Sequence, residues 1–363
     1  MWLHRLKITT VIGIFITAIA TMAQAGVIPS YVGNQKVPSL APMLERVTPA
    51  VVNIATKGRP KADASVLRDP FFQRFLNTQS DKESSKPIDG TGSGVIVHSR
   101  LGHILTNYHV IQDAESIQVT LNDGRRFEAA IVGTDERADL AILKIDSPNL
   151  VAIPFGDSAR LRVGDFVVAI GNPYGIGQSV SSGIVSALHR NPGIGEYENF
   201  IQTDASINLG NSGGALVNLN GELVGVNTAI LGGQSGGNIG IGFAIPINTA
   251  IGVIDQIIRY GTVERGEIGI EVSDPSAALA EQAGIEVGVG ALITQVFTNS
   301  PAEQAGLEAG DIIVRMDNQD IFNASEVKNF IGARRLGTEV SVTFVRKGEY
   351  FMTSAVLTKP YTN

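Results

Sequence analysis

The 363-residue chain has no cysteine, so it cannot build a disulfide, a thiolate metal site or a cysteine nucleophile. That absence fits any compartment, oxidising ones included. Tryptophan occurs once, and charged residues make up only 17%. Acidic side chains (35) outnumber basic ones (28), giving a formal charge of −7. A surface that neutralises phosphates is therefore missing, and no nucleic-acid partner is expected. The five histidines are scattered, and no His/Asp/Glu set has ligand spacing, so no metal and no cofactor is expected. What the chain does have is 44% hydrophobic residues and 41 glycines. The first excludes global disorder. The second, without a collagen period, implies tight turns and strand corners. At about 100–200 residues per domain, two domains are expected.

Residues 1–25 read as a signal peptide. Arg5 and Lys7 form a basic start, Ile8 to Ala20 is apolar, and Ala23-Gln24-Ala25 is a small-x-small cleavage site. A spanning helix needs roughly 20 residues, and Ile8 to Ala25 falls just short. An uncleaved anchor is therefore the alternative. Residues 26–44 are a polar lead-in containing Pro29, Pro38 and Pro42.

From Val51 onward, short β-branched runs alternate with turn chemistry. The first group of strands is expected at 51–55, 94–98, 104–106, 117–121, 127–132 and 140–145. The second is expected at 166–170, 180–187, 200–203, 215–218, 222–228 and 241–245. Asp123-Gly124 and Asn220-Gly221 are hairpin turns. Two such groups predict two β-barrels in one domain. The loop from Lys57 to Gly90 is long and polar, yet it carries Phe71, Phe72 and Phe75. Exposed aromatics need a docking place, either on their own domain or on another subunit. Residues 248–260 predict a helix with Ile251, Ile254, Ile257 and Ile258 on its apolar face and Gly261 as its stop. Beyond it lies a smaller α+β pattern. Strands are expected at 268–272 and 291–296, helices at 300–305 and 325–331, and a hairpin at 340–345 and 351–357 around Lys347-Gly348.

The sharpest chemical signal is Gly210-Asn211-Ser212-Gly213-Gly214. A serine among glycines lets backbone approach a substrate and aims N–H groups at a developing oxyanion. The pattern also matches the G-x-S-x-G elbow of α/β-hydrolases. Chain order decides between them. All five histidines precede Ser212, whereas the elbow needs its histidine afterwards. Residues 215–228 also read as a hairpin, not as the helix that an elbow opens. The order is then His…Asp…Ser, as in chymotrypsin-like peptidases. His4 lies in the targeting segment. His98 and His103 read as solvated turn residues, and His189 as a surface residue. His109, just after a strand, would by itself be an ordinary partly buried histidine, but its place ahead of Ser212 makes it the general base. Asp139 starts the apolar strand Leu140–Leu143, where an acid can be buried against an imidazole. Asp135 is the alternative, though it reads as a turn residue; so do Asp157 and Asp165.

These segments together resemble the HtrA/Deg family of serine proteases, from about Leu40 to Leu357. The likeness rests on Thr106-Asn107-Tyr108-His109-Val110, Ala138-Asp139-Leu140-Ala141, Gln202-Thr203-Asp204-Ala205 with Gly210–Leu216, and Gly237–Pro246. The remainder resembles a PDZ domain of that family. It does so through Arg265-Gly266-Glu267-Ile268-Gly269-Ile270, Asn299–Ala302 and Ala305–Ile313. The resemblance implies a mainly β protein: a chymotrypsin-like double β-barrel protease domain over 45–260 and one α+β PDZ domain over 264–360. It implies Ser212 as nucleophile, His109 as acid/base and Asp139 as orienting partner. It implies an oxyanion hole from the N–H groups of Gly210 and Ser212, and an aliphatic S1 pocket of Ile207, Ile230 and Leu231. Arg190 resembles the family's sensor arginine, and Phe71, Phe72 and Phe75 occupy its regulatory loop. Tyr174 and Phe200 look like aromatics of the family's trimer contact. The PDZ loop Arg265, Gly266, Glu267, Ile268, Gly269 and Ile270 would hold a free C-terminal carboxylate, with the peptide added as a strand.

The expectation is an ATP-independent periplasmic serine endopeptidase that degrades misfolded proteins. Its partners would be unfolded substrates, C-terminal peptides at the PDZ domain and further copies of itself in a homotrimer or higher assembly. Membrane contact is expected only if residues 1–25 stay uncleaved. Many soluble family members carry two PDZ domains and this chain carries one. That keeps two alternatives in view: an anchored regulatory protease cutting an anti-sigma factor, and a holdase chaperone with secondary proteolysis.

Overall fold

The computed structural model describes residues 31–32, 35–36, 39–58, 88–173, 177–192, 199–208, 210–232 and 238–359. Residues 1–25 and Phe71, Phe72, Phe75 and Tyr174 lie outside them. The chain divides into two compact units, Met1–Pro42 and Met43–Asn363. In the first, β1 (Tyr31–Val32) pairs antiparallel with β2 (Gln35–Lys36). Helix α1 spans Ala41–Val47.

In the second unit the first β-branched runs form β3 (Val51–Gly58), β4 (Ile88–His98), β5 (His103–Thr106), β6 (Ala114–Thr120), β7 (Arg126–Glu128), β8 (Ala130–Asp135) and β9 (Leu140–Lys144). They pair in the order β7-β6-β3-β4-β5-β9-β8, antiparallel throughout. The single strand expected at 127–132 is two. It breaks at Ala129, whose N–H donates to the Ile117 carbonyl at 2.9 Å. β7 and β8 are thus neighbours in the chain and the two edges of the sheet. That break curls the sheet toward closure. Ile54, Ile96, Ile104, Val119 and Leu143 fill its interior.

The next six strands are β10 (Phe166–Gly171), β11 (Ser179–Arg190), β12 (Phe200–Thr203), β13 (Ala215–Asn218), β14 (Leu223–Gly232) and β15 (Asn238–Pro246). They close into a barrel, β10-β11-β12-β15-β14-β13. Closure removes free edges, and Val167, Ile201, Leu216 and Val224 pack inside. One helical turn, α2 (Tyr108–Ile111), follows β5.

Helix α3 (Ile247–Tyr260) closes this half. Gly261 stops it at φ +76°, its N–H returning to the Ile257 carbonyl. The helix lies where the sequence predicts, but its buried face is rotated. Ala250, Val253, Ile254 and Ile257 are buried, while Ile251 and Ile258 are exposed.

The last sheet contains β16 (Ile270–Ser273), β17 (Ala291–Val296), β18 (Ile312–Met316), β19 (Gln319–Asp320), β20 (Glu339–Arg346) and β21 (Glu349–Val356). Its order is β16-β17-β18-β20-β21, with β19 on β18. Helices α4 (Ala277–Ala283), α5 (Pro301–Gln304) and α6 (Ala324–Gly332) accompany it. α4 is absent from the sequence expectation although its caps are explicit. Ser276 Oγ accepts from the Leu279 N–H, and Gly284 ends it at φ +70°. Lys347 and Gly348 both have positive φ, as a two-residue hairpin turn requires.

Leu216 is fully buried in the closed barrel. Leu216→Ala should cost about 2–5 kcal/mol of stability, read as a lower urea midpoint with an unchanged slope.

Candidate active site

β5 delivers the chain to Asn107, and α2 turns His109 inward. The imidazole side chain is only 3% exposed. Asp139 comes from the turn between β8 and β9. It sits at φ +52°, a left-handed conformation that costs a non-glycine residue about 1–3 kcal/mol. The Asn107 side-chain amide holds this turn by donating to the Asp139 carbonyl at 2.9 Å. The carboxylate then accepts the backbone N–H of His109 at 3.0 Å, and His109 Nδ1–H at 2.8 Å to Oδ2. An ionised carboxylate can only accept, so the proton sits on Nδ1 and Nε2 carries the lone pair.

A residue that the sequence did not single out joins this pair to the barrel. Thr228 on β14 donates its hydroxyl to Asp139 Oδ2 at 2.8 Å. Its carbonyl accepts the Ser212 hydroxyl at 3.2 Å. His109, Asp139, Thr228 and Ser212 thus form one continuous line of hydrogen bonds between two sheets. A threonine in a β-branched run looks like ordinary strand composition, which is why the sequence hides it.

The serine loop is held on both sides. The Gly213 N–H donates to the Asn227 carbonyl at 2.8 Å, and the Asn227 N–H returns to the Gly214 carbonyl at 3.0 Å. Gly213 lies at φ +81°, and a Cβ there would stand 2.2 Å from the Ser93 carbonyl oxygen. Only glycine fits. Across the gap, the Ser93 N–H donates to the Ser212 carbonyl at 2.8 Å.

Of the expected S1 residues, Ile207 is fully buried in the barrel core, where its Cδ1 would lie 2.9 Å from a Cβ at Gly242. The side chains of Ile230 and Leu231 are outside the description. Arg190 ends β11 and donates from Nε to Gln202 Oε1 at 3.0 Å. Phe200 is buried against Phe243 of its own barrel, with ring centroids 5.9 Å apart. Asp157 and Asp165 are turn residues, as expected. They accept from the N–H groups of Ala159 and Arg162.

Two histidine expectations are corrected. His103 is a buried strand residue, not a solvated turn residue. Burial, then the neighbouring His98 and Lys144, lowers its pKa. His189 is no free surface residue either. It stacks on Phe322, with centroids 4.7 Å apart, and pairs with Glu326, which is buried on α6. Asn199 supports both partners, with its Oδ1 at 3.1 Å from His189 Nδ1 and its Nδ2 at 3.3 Å from Glu326 Oε1.

A second contact ties the last sheet to the catalytic turn. Arg265 makes a two-pronged ion pair with Asp135, and both side chains are nearly buried (11% and 2% exposed). Asp135 ends β8, four residues ahead of Asp139. Beyond Arg265, the Glu267 backbone bridges to Thr358, and Gly269 adopts φ +80° just before β16. β16 is the edge strand of its sheet, with α6 packed alongside it.

Among the described residues, no group of side chains could hold a metal ion, and no helix is long and apolar enough to cross a membrane. A family model for the trypsin-like peptidase domain matches residues 92–226, and one for the PDZ domain matches residues 266–354. Together with the site, they define a trypsin-type serine peptidase that carries a peptide-binding PDZ domain. The "Probable periplasmic serine protease do/HhoA-like" of Haemophilus influenzae is 48% identical over 347 residues, covering 91% of this chain and 73% of the relative. The "Periplasmic pH-dependent serine endoprotease DegQ" of Escherichia coli K12 is 44% identical, covering 92% of this chain and 73% of the relative. The solved structure "HtrA-type protease AlgW with tripeptide" is 40% identical with a TM-score of 0.66, covering 90% of this chain and 99% of that one. The chain belongs to the HtrA/Deg family of serine endopeptidases.

Thr228→Val keeps shape and removes the hydroxyl that supports Asp139. A hydrogen bond to a charged group contributes about 1.5–3 kcal/mol, so kcat should fall roughly 10- to 100-fold with KM nearly unchanged. Steady-state hydrolysis of a peptide reporter checks this.

His189 gives a pH dependence with a defined sign. Burial opposes its charged form, but the hydrogen bond and charge of Glu326, with help from Asn199, outweigh burial and raise its pKa above 6.5. The contribution to docking is fully present below the ordinary imidazole value and is lost as pH rises through the raised one. The cleft around it is also lined by Asp157, Arg162, Asp317, Asp320 and Arg334. Small-angle scattering should show expansion as pH climbs from 6 to about 9. In His189→Gln that expansion should be absent.

Proposed function

We propose that the chain is a periplasmic, ATP-independent endopeptidase that degrades unfolded polypeptides through an acyl-enzyme on Ser212. The observation that carries this reading is the hydrogen-bonded line from His109 through Asp139 and Thr228 to Ser212. Rotation of the serine side chain takes its hydroxyl from the Thr228 carbonyl to His109 Nε2. The imidazole removes the proton as Oγ attacks the scissile carbonyl. Asp139 holds the imidazolium, which then protonates the leaving amine. Water, deprotonated by the same nitrogen, attacks the ester and releases the second product. The N–H groups of Gly210 and Ser212 receive the oxyanion. S1, built from Ile230 and Leu231 and backed by the core residue Ile207, favours small or medium aliphatic residues. Only an unfolded chain can present such residues in extended form to a cleft.

In this reading the peptidase domain covers 45–260 and the PDZ domain 264–360. A substrate C-terminus adds as a strand along β16, its carboxylate on backbone N–H groups of the loop 266–270 other than that of Glu267, which donates to Thr358. The Arg265–Asp135 pair supports a link between that loop and the turn bearing Asp139. Arg190 acts as the sensor arginine in a loop that orders the active site, and the segment with Phe71, Phe72 and Phe75 regulates that site from a neighbouring copy in a homotrimer. Residues 1–25 direct export and are removed. Two of its relatives are named as periplasmic proteases, which supports the periplasm.

The test is cleavage of a casein-like unfolded substrate, with and without a peptide ending in a free carboxylate. The wild-type chain should cleave it, and Ser212→Ala should fall by at least about 10³-fold. The peptide should accelerate the wild type. Unchanged cleavage by Ser212→Ala would overturn the catalytic assignment. An unchanged rate with peptide would overturn the regulatory one.

A further inference from the structure

We propose that Ser93 is a positioning residue that sets the direction of the oxyanion-binding backbone; the proposal rests on Ser212 being the nucleophile. Ser93 is fully buried on β4, in the sheet opposite the serine loop. Its bonding capacity is spent almost entirely on that loop and its supports. The N–H donates to the Ser212 carbonyl at 2.8 Å. The hydroxyl donates to the Gly210 carbonyl at 2.5 Å and accepts the Asn172 N–H at 2.8 Å. The carbonyl accepts the Thr106 hydroxyl at 2.7 Å.

Peptide units are rigid planes, so pinning a carbonyl fixes the whole plane. Ser93 pins the planes 210–211 and 212–213. The plane between them, 211–212, carries the Ser212 N–H. Clamped on both sides, with Gly210 at φ +90°, it has little freedom to rotate. The support itself is stiff. Asn53, paired with Ser93 across β3 and β4, donates from Nδ2 to the Asn172 carbonyl at 2.8 Å, so the Asn172 backbone is gripped through both its N–H and its carbonyl. The neighbouring Gly92 allows this contact. A Cβ there would stand 2.6 Å from Val110 and 3.3 Å from the Ser212 carbonyl oxygen.

The role needs a group that donates and accepts at one atom, and a hydroxyl does both. Alanine leaves the buried Gly210 carbonyl and Asn172 N–H without this partner and frees the clamped planes. Threonine keeps the hydroxyl. The loss falls on the transition state, where the oxyanion forms, more than on substrate binding.

The experiment uses the full chain as Ser93→Ala, Ser93→Thr and Ser212→Ala. It measures kcat and KM on a peptide reporter, affinity for a peptide boronate that forms a tetrahedral adduct, and the folded fraction by circular dichroism. Expected for Ser93→Ala is a kcat lower by roughly 10- to 100-fold, with KM within about twofold and boronate affinity falling in parallel. Its kcat/KM profile should keep the wild-type acid limb, because His109 and Asp139 are untouched. Ser93→Thr should recover most of the activity. An unchanged kcat in folded Ser93→Ala, or a loss that only tracks the unfolded fraction, overturns the proposal. If Ser93→Ala does not fold, Ser93→Thr decides, and a folded Thr variant as slow as Ser212→Ala overturns it. Full activity in Ser212→Ala would remove the catalytic reading beneath it. Loss there with full activity in Ser93→Ala would remove this proposal alone.

Discussion

The Asp139 carboxylate is the point on which the site depends. It is held in a strained turn and accepts from the His109 backbone, the His109 imidazole and the Thr228 hydroxyl. Two of these donors come from the first sheet and one from the closed barrel. The tautomer of His109 follows from this bonding, because a carboxylate offers only acceptors to Nδ1. A left-handed aspartate is tolerated where its surroundings over-determine it. Here the Asn107 amide and three donors to one carboxylate supply that constraint.

The same turn looks outward. Asp135, at its start, is engaged by Arg265 at the entrance to the last sheet. His189 at the end of β11 meets Glu326 on α6, the helix beside the open edge of β16. The two contacts differ in kind. The first is a two-pronged arginine–carboxylate fork, while the histidine pair depends on one proton. Within one chain, an arginine fork ties the entrance of the last sheet to the first sheet, and a titratable pair ties α6 to the closed barrel.

Much of this was legible in the sequence, for identifiable reasons. Strand runs, hairpin turns and the helix before Gly261 are local signals. Chain order separated the peptidase reading from the hydrolase elbow, local context set His109 apart from the other four histidines, and the apolar strand after Asp139 marked the rigid element that holds it. What stayed hidden was non-local. Thr228 and Ser93 look like strand composition until the sheets meet. The rotation of α3 is set by its neighbours: a Cβ at Gly252 would lie 2.8 Å from the Ala333 carbonyl oxygen. His189 read as solvent-facing because Glu326 lies more than a hundred residues away in the chain. The kink at Ala129 interrupts a run whose side chains give no warning of it.

The nucleophile's own peptide is hydrogen-bonded to β4 of the opposite sheet, so the scissors are assembled across a seam. Parting the two halves would break the bonds from Ser93 to the Gly210 and Ser212 carbonyls, so a shift at the seam is enough to blunt the blade with both halves still folded.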